Sequence, residues 1–247
     1  MGMSASSQKT SSALQKSMPR STSKKPTPFR RGPILDFAQG FVRWCFRIPF
    51  WIFWRVRVHH LEKFPTEGPL ILLANHQSNL DPMIVGAVSP LPINYLSKQS
   101  LFKFPPLGWF FRWNDCIPIQ RDSNAIGGIK ETLKRLKKKE LVLIFPEGSR
   151  SPDGKLQAMK PGFSTLARRT KSPLLPVAID GAWQVYPRQA KFPRLGNIQV
   201  VFGDPISYQQ YEALDDDELS TLVQEKIGEA FIVAQDHCKM SRMQHQN

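Results

Sequence analysis

At 247 residues with 41% hydrophobic content, the chain is long enough to close one large core, and its length suits a single catalytic domain with appendages. A formal net charge of +14 biases the surface towards polyanions, acidic lipid headgroups or phosphorylated substrates without choosing among them. Three cysteines, Cys45, Cys116 and Cys238, are spaced for neither a zinc site nor a disulfide framework, which argues against a stapled secreted scaffold and for a reducing compartment.

Residues 1–32 carry seven lysines and arginines, and no acidic residue precedes Asp36. Rich in Ser, Thr, Lys and Pro, this stretch buries too little apolar surface to offset its ordering entropy and reads as a disordered basic tail. Its composition also fits an organellar transit peptide, plastid import included, and Met1-Gly2-Met3-Ser4-Ala5-Ser6 fits the loose myristoylation pattern. Residues 33–57 form an apolar, aromatic segment whose longest uncharged run, Ile48 to Trp54, is far shorter than the roughly 20 residues of a spanning helix. Asp36, Gln39, Arg43 and Arg47 recur as one polar stripe at helical spacing, with Phe37, Phe41, Val42, Trp44, Cys45 and Phe46 around the remainder. Pro49 is expected to bend or end this helix, after which Phe50, Trp51, Phe53 and Trp54 supply rings suited to headgroup depth. The expectation is a membrane-interface helical segment holding the chain to a membrane surface as a monotopic or peripheral protein on the cytoplasmic face. A helix packed on the domain's own core is the alternative.

Residues 58–240 alternate strand-like and helix-like segments, the pattern of an α/β domain with a mostly parallel central sheet flanked by helices. The predicted strands are Leu70 to Ala74, Ile93 to Leu96, Cys116 to Ile119, Leu141 to Phe145, Leu174 to Ile179 and Ile198 to Phe202. Between them, a Ser123 cap opens a helix whose apolar face is Ile126, Ile129, Leu133 and Leu136, opposite Lys130, Lys134 and Lys137. Asp215 and Glu218, at capping-box spacing, open an amphipathic helix carrying Leu219, Leu222, Val223, Ile227 and Phe231.

The strand Leu70 to Ala74 runs directly into Asn75 and His76, placing His76 at the carboxyl edge of the sheet, where open α/β folds set their sites. Imidazole accepts a proton near pH 7, and a nearby carboxylate fixes its tautomer and raises its basicity; Asp81 is close enough in sequence to do this across a strand-to-helix turn. On spacing alone, a capping Asp81 and a satisfied loop histidine explain the pair as well. Phe145-Pro146-Glu147-Gly148 ends another apolar strand, bringing Glu147 and Arg150 to the same edge, with Gly148 permitting close backbone approach to a ligand. Arg121 follows a third strand. Two guanidiniums offer bidentate donors for a phosphate monoester, although ion pairs with Glu147 or Asp122 would also employ them.

Asn75-His76-Gln77-Ser78-Asn79-Leu80-Asp81 resembles the first signature block of the glycerolipid acyltransferases, Asn-His followed by four residues and Asp. The later blocks follow in order: Cys116 to Arg121 resembles the second, Phe145 to Ser151 the third and Leu175 to Ile179 the fourth. Ser149 stands where the family commonly has Thr, which keeps the hydroxyl, and the second block is the loosest match. Within the family, the third block is most similar to the lysophosphatidic acid acyltransferases. The resemblance implies that His76, oriented by Asp81, deprotonates an acceptor hydroxyl as it attacks a thioester carbonyl, with no covalent enzyme intermediate. It further implies that Lys98, Arg121, Glu147, Gly148, Ser149 and Arg150 bind substrate. The acceptor would be lysophosphatidic acid, glycerol-3-phosphate or another lysophospholipid; the donor, acyl-CoA or acyl carrier protein; the product, phosphatidic acid. No metal and no resident cofactor is expected.

Other classes fit less well. A lipase or thioesterase would share the acyl substrate, but the chain has no Gly-x-Ser-x-Gly elbow, and no His-Glu-x-x-His arrangement marks a metallohydrolase. A non-catalytic membrane-binding protein would leave His76, Asp81, Glu147 and Arg150 without a reason to coincide. Nucleic acid is not an expected partner, since the basic excess is concentrated in the tail and no recognition motif accompanies it.

Overall fold

A strand covered by helices on both faces has no solvent side to reserve for polar residues, and Leu70–Ala74 shows the consequence: all five residues are buried, Leu70, Leu72 and Ala74 towards one layer and Ile71 and Leu73 towards the other. The computed structural model describes residues 47–98, 117–119 and 125–243. The strands are β1 (Arg57–His59), β2 (Leu70–Ala74), β3 (Ile93–Lys98), β4 (Ile117–Ile119), β5 (Leu141–Ile144), β6 (Leu174–Asp180) and β7 (Gln199–Phe202), in the spatial order β1-β7-β6-β2-β5-β3-β4. β6, β2, β5, β3 and β4 are parallel, β7 is antiparallel to β6, and β1 is parallel to β7. Five strands therefore point their carboxyl ends at one edge.

Helix α1 covers 47–54. The others are α2 (Asp81–Val88), α3 (Ala125–Lys137), α4 (Ser164–Thr170), α5 (Ala182–Val185), α6 (Tyr208–Tyr211) and α7 (Asp216–Met243). Phe50 of α1, Ile84 and Val85 of α2 and Val185 of α5 pack on one face of the sheet. Leu136, Leu166, Tyr211, Leu219, Val223 and Ile227, from α3, α4, α6 and α7, cover the other. At the start of α7 the capping box closes reciprocally: the Asp215 N–H donates to Glu218 Oε2 at 2.8 Å and the Glu218 N–H to Asp215 Oδ1 at 2.8 Å.

All six predicted strands are present, with β3 extended to Lys98 and β6 to Asp180. β1 was not anticipated; three residues without an apolar run form a strand because β7 offers them an edge, with Arg57 paired to Gln199. The 33–57 segment is two-sided where it is described: Phe50 and Val56 are buried in the domain core while Trp51, Ile52 and Phe53 are exposed. Pro49 stands in the first turn of α1, and the preceding stretch, whose helix it was expected to bend or end, lies outside the described residues. On α3 the buried face runs through Gly128, Thr132 and Leu136, so Ile129, expected inside, is exposed. The basic tail, residues 33–46, Cys116, Arg121 and Ser123 lie outside the described residues.

Gly86 lets α2 lie against β3: a Cβ there would stand 1.7 Å from the Oη of buried Tyr95. Gly86→Ala should cost about 1–3 kcal/mol of stability by overpacking. Adding Tyr95→Phe, which removes that oxygen, should recover part of the loss in chemical denaturation; no recovery would place the strain elsewhere.

Candidate active site

β2, β5 and β6 are neighbours, so the loops leaving their carboxyl ends meet. Asn75 fastens the first loop to β6, its Nδ2 donating to the Ile179 carbonyl at 2.9 Å and its Oδ1 accepting the Ile179 N–H at 2.7 Å. The backbone of His76 is held on both sides by the third loop, the one that leaves β5 and carries the third signature block: its N–H donates to Glu147 Oε1 at 3.2 Å and its carbonyl accepts the Ser151 N–H at 2.7 Å. The imidazole stacks on Phe145, with ring centroids 4.1 Å apart and planes 21° from parallel. One edge is left for orientation, and Asp81 takes it: His76 Nδ1 lies 2.8 Å from Asp81 Oδ2.

Asp81 is the first residue of α2 and is 0% exposed. Its Oδ2 also accepts the N–H groups of Gln77, at 2.6 Å, and Ser78, at 2.7 Å. Three donors on one oxygen, at the positive end of a helix, suit an ionised carboxylate that only accepts. Nδ1 of His76 then carries the hydrogen, and Nε2 presents a bare lone pair. The His76 side chain is 18% exposed, and Nε2 has no hydrogen-bond partner among the described residues. Such an imidazole can take a proton from a hydroxyl that reaches it.

In the third loop the sequence-predicted residues divide by direction. Glu147 is 3% exposed and turned inward onto His76; burial, with a smaller push from Asp81, raises its carboxyl to about 8 against the pull of backbone N–H groups. Its Oε2 and the Oδ1 of Asp81 are both buried and have no hydrogen-bond partner among the described residues. Gly148 adopts φ 72°, and its N–H donates to the Phe145 carbonyl at 3.0 Å, so it is not a free donor for an oxyanion. Gly148 and Ser149 are exposed and Arg150 is half-buried. Burial holds the Arg150 guanidinium below its ordinary value, and the charge of Arg188 lowers it further. Lys98 ends β3 at the same carboxyl edge, in register with Ile119.

Several contributors were not legible as site residues. Gln77 clamps two loops, its Nε2 donating to the Gly154 carbonyl at 2.7 Å and its Oε1 accepting the Trp183 N–H at 3.2 Å. Ser78 Oγ donates to the Tyr186 carbonyl at 2.8 Å. Gln77 and Ser78 lay inside the first block, and Phe145 at the head of the third, but their partners are distant in sequence. Trp183 and Arg188 belong to no block.

The carboxyl of Glu147 sets a pH dependence. Between its ordinary value of 4.5 and its folded value of about 8, the unfolded chain releases a proton that the folded chain keeps. Stability should therefore fall as pH rises through that window, by at most about 1.4 kcal/mol per pH unit from this group, and level off above it. Glu147→Gln, which keeps an acceptor for the His76 N–H, should flatten that slope in urea titrations; an unchanged slope would assign it to other groups.

A family model described as Acyltransferase matches residues 55–180, from the start of the sheet to the end of β6. The chain is 33% identical over 186 residues to the 1-acyl-sn-glycerol-3-phosphate acyltransferase of Pseudomonas aeruginosa, covering 69% of this chain and 70% of that protein. It is 27% identical over 201 residues to the chloroplastic enzyme of the same description from Arabidopsis thaliana, covering 80% of this chain but only 55% of that longer protein. The crystal structure of the 1-acyl-sn-glycerophosphate acyltransferase PlsC from Thermotoga maritima superposes with a TM-score of 0.67 at 25% identity, covering 83% of this chain and 81% of that one. With a buried carboxylate orienting a histidine at the edge of this sheet, and with the family model covering His76, Asp81, Glu147 and Arg150, the chain belongs to the acyltransferase family.

Proposed function

We propose that the chain transfers a fatty acyl group from a thioester to the free hydroxyl of lysophosphatidic acid, forming phosphatidic acid in phospholipid synthesis. The observation that carries this reading is the His76–Asp81 contact of 2.8 Å, which leaves Nε2 bare beside a loop that presents Arg150. Several matching relatives are named 1-acyl-sn-glycerol-3-phosphate acyltransferases, which supports that acceptor over glycerol-3-phosphate or other lysophospholipids.

In this mechanism Nε2 removes the proton of the acceptor hydroxyl as its oxygen attacks the thioester carbonyl. The tetrahedral intermediate collapses with loss of the thiolate, which takes the proton back from the imidazolium, so an ester and a free thiol leave and the enzyme is regenerated. Asp81 stabilises the transient imidazolium and Glu147 positions the His76 backbone. Gly148, Ser149 and Arg150 are assigned to substrate binding, as are Lys98 and Arg121 from their positions in the sequence. The activated acyl group arrives on its carrier, so the reaction calls for no resident cofactor, and a chain of net charge +14 suits either acidic donor, CoA or acyl carrier protein.

The site would work at a membrane surface. No helix among the described residues is long and apolar enough to cross a membrane. Trp51 is 73% and Ile52 64% exposed on α1, and the neighbouring loop adds Phe192 at 80% and Leu195 at 77%. The two are joined by Trp54 Nε1 donating to the Arg194 carbonyl at 2.9 Å and the Ile198 N–H donating to the Trp54 carbonyl at 3.0 Å. Arg47, Arg55, Lys191 and Arg194 accompany these apolar side chains, a combination suited to anionic lipid.

His76→Ala should lower transfer to lysophosphatidic acid by at least about a hundredfold with the fold intact, and Asp81→Asn should lose most activity with less change in acceptor KM. Retained activity in His76→Ala would remove it as the base. Phe192→Asp with Leu195→Asp should weaken sedimentation with anionic vesicles while the melting temperature holds; unchanged binding would put the membrane surface elsewhere.

A further inference from the structure

The segment after β6 brings a second arginine beside the loops of the site. Gly181, at φ 92°, turns β6 into α5, and a Cβ there would stand 2.0 Å from the Asn197 carbonyl oxygen. Three hydrogen bonds dock the segment that follows: the Trp183 N–H to Gln77 Oε1 at 3.2 Å, Trp183 Nε1 to the Pro152 carbonyl at 3.1 Å, and Ser78 Oγ to the Tyr186 carbonyl at 2.8 Å. Arg188 lies two residues beyond Tyr186, in a turn closed by the Ala190 N–H on the Pro187 carbonyl at 3.1 Å. Arg150 immediately precedes Ser151, whose N–H holds the His76 carbonyl. Each arginine thus stands one or two residues from a hydrogen bond to residues 76–78, Arg150 beside the Ser151 N–H on the His76 carbonyl and Arg188 near the Tyr186 carbonyl that accepts from Ser78 Oγ, one on either loop flanking the turn.

Their charges are felt together. Arg150 is lowered by burial first and by Arg188 next, while Asp81 and Tyr186 act in the opposite direction. Among the described residues neither guanidinium has an ion pair or a hydrogen bond, whereas Arg135 pairs with Glu131 and Arg168 with Asp216. Two like charges that repel each other are unfavourable without an anion, and a doubly charged phosphate between them would reverse the sign. The acceptor's geometry fits: in lysophosphatidic acid the reacting hydroxyl and the phosphate sit on adjacent glycerol carbons, so a hydroxyl at His76 Nε2 leaves its phosphate close beside the 76–78 backbone.

We infer that Arg188 binds the phosphate monoester of the acceptor together with Arg150, making it a residue that selects phosphorylated over neutral acceptors, an inference that rests on the proposed transfer to lysophosphatidic acid. Arg188 lies outside all four signature blocks and reaches the site only through the docking of its loop. Arg's planar fork, rather than charge alone, gives the bidentate contact, so lysine replaces it incompletely.

The test uses the full chain in mixed micelles, as wild type, Arg188→Ala and Arg188→Lys, with lysophosphatidic acid and 1-monoacylglycerol as acceptors. Equilibrium binding of lysophosphatidic acid without donor is measured beside turnover. Arg188→Ala should raise the lysophosphatidic acid KM and dissociation constant about tenfold with kcat changed less than threefold, Arg188→Lys should fall between, and residual transfer to monoacylglycerol should not change. A KM and dissociation constant within twofold of wild type, or an equal loss on monoacylglycerol, overturns the inference. Wild type that binds lysophosphatidic acid through Arg188 but transfers nothing overturns the proposed function and leaves the phosphate site standing. Wild type that neither binds nor transfers overturns both.

Discussion

Asp81 is wholly buried, and a carboxylate so placed survives only if donors replace the water it has lost. It finds three on a single oxygen: the imidazole N–H of His76 and the backbone N–H groups of Gln77 and Ser78. That requirement shapes the turn between β2 and α2, because residues 76 to 78 must curl back over the start of the helix to satisfy it. The same curl brings the His76 ring to the mouth of the site with Nδ1 committed and Nε2 unused. Stability and reactivity are here one arrangement, since the groups that make Asp81 tolerable also fix the histidine's tautomer.

The parallel sheet delivers the remaining groups. Because β5 and β6 flank β2, the third loop can hold the His76 backbone through Glu147 and Ser151, and the α5 segment can hold Gln77 and Ser78 from the opposite side. Charge is sorted along the way. The acids are buried, Glu147 with its carboxyl raised to about 8, while half-buried Arg150 and exposed Arg188 have no anion paired with them among the described residues. An anion arriving at the mouth therefore meets uncompensated positive charge, while the Asp81 carboxylate remains sheltered from it. The exposed side chains of α1 and of the 187–196 loop are tethered to each other through Trp54, and the loop lies on the chain's path out of α5, so the loop that carries Arg188 also carries Phe192 and Leu195.

Much of this was legible in the sequence because the signals were local. Apolar runs bounded by Asn75-His76 and Pro146-Glu147 announce buried parallel strands ending at one edge, and Asp215 with Glu218 announces a helix start. β1 escaped because Arg57–His59 has no strand pattern of its own and owes its conformation to the edge of β7. Ile129 was misplaced because the face of α3 is set by Gly128 and Thr132, small residues that permit close packing and carry little weight in a hydrophobic pattern. The inward turn of Glu147, the stacking of Phe145 on His76 and the arrival of Trp183 and Arg188 depend on contacts across 69 to 106 residues or more of chain, which no spacing rule encodes.

The central claim is that one buried carboxylate fixes His76 with Nδ1 protonated and Nε2 bare. The most direct measurement is the ¹⁵N NMR of the imidazole nitrogens in histidine-labelled protein, with His76 assigned by its loss in His76→Gln. The account predicts that the ring unprotonated at Nε2 carries its hydrogen on Nδ1, passing to a mixture of tautomers in Asp81→Asn. A hydrogen on Nε2 in the wild type, or a tautomer indifferent to Asp81, would contradict it.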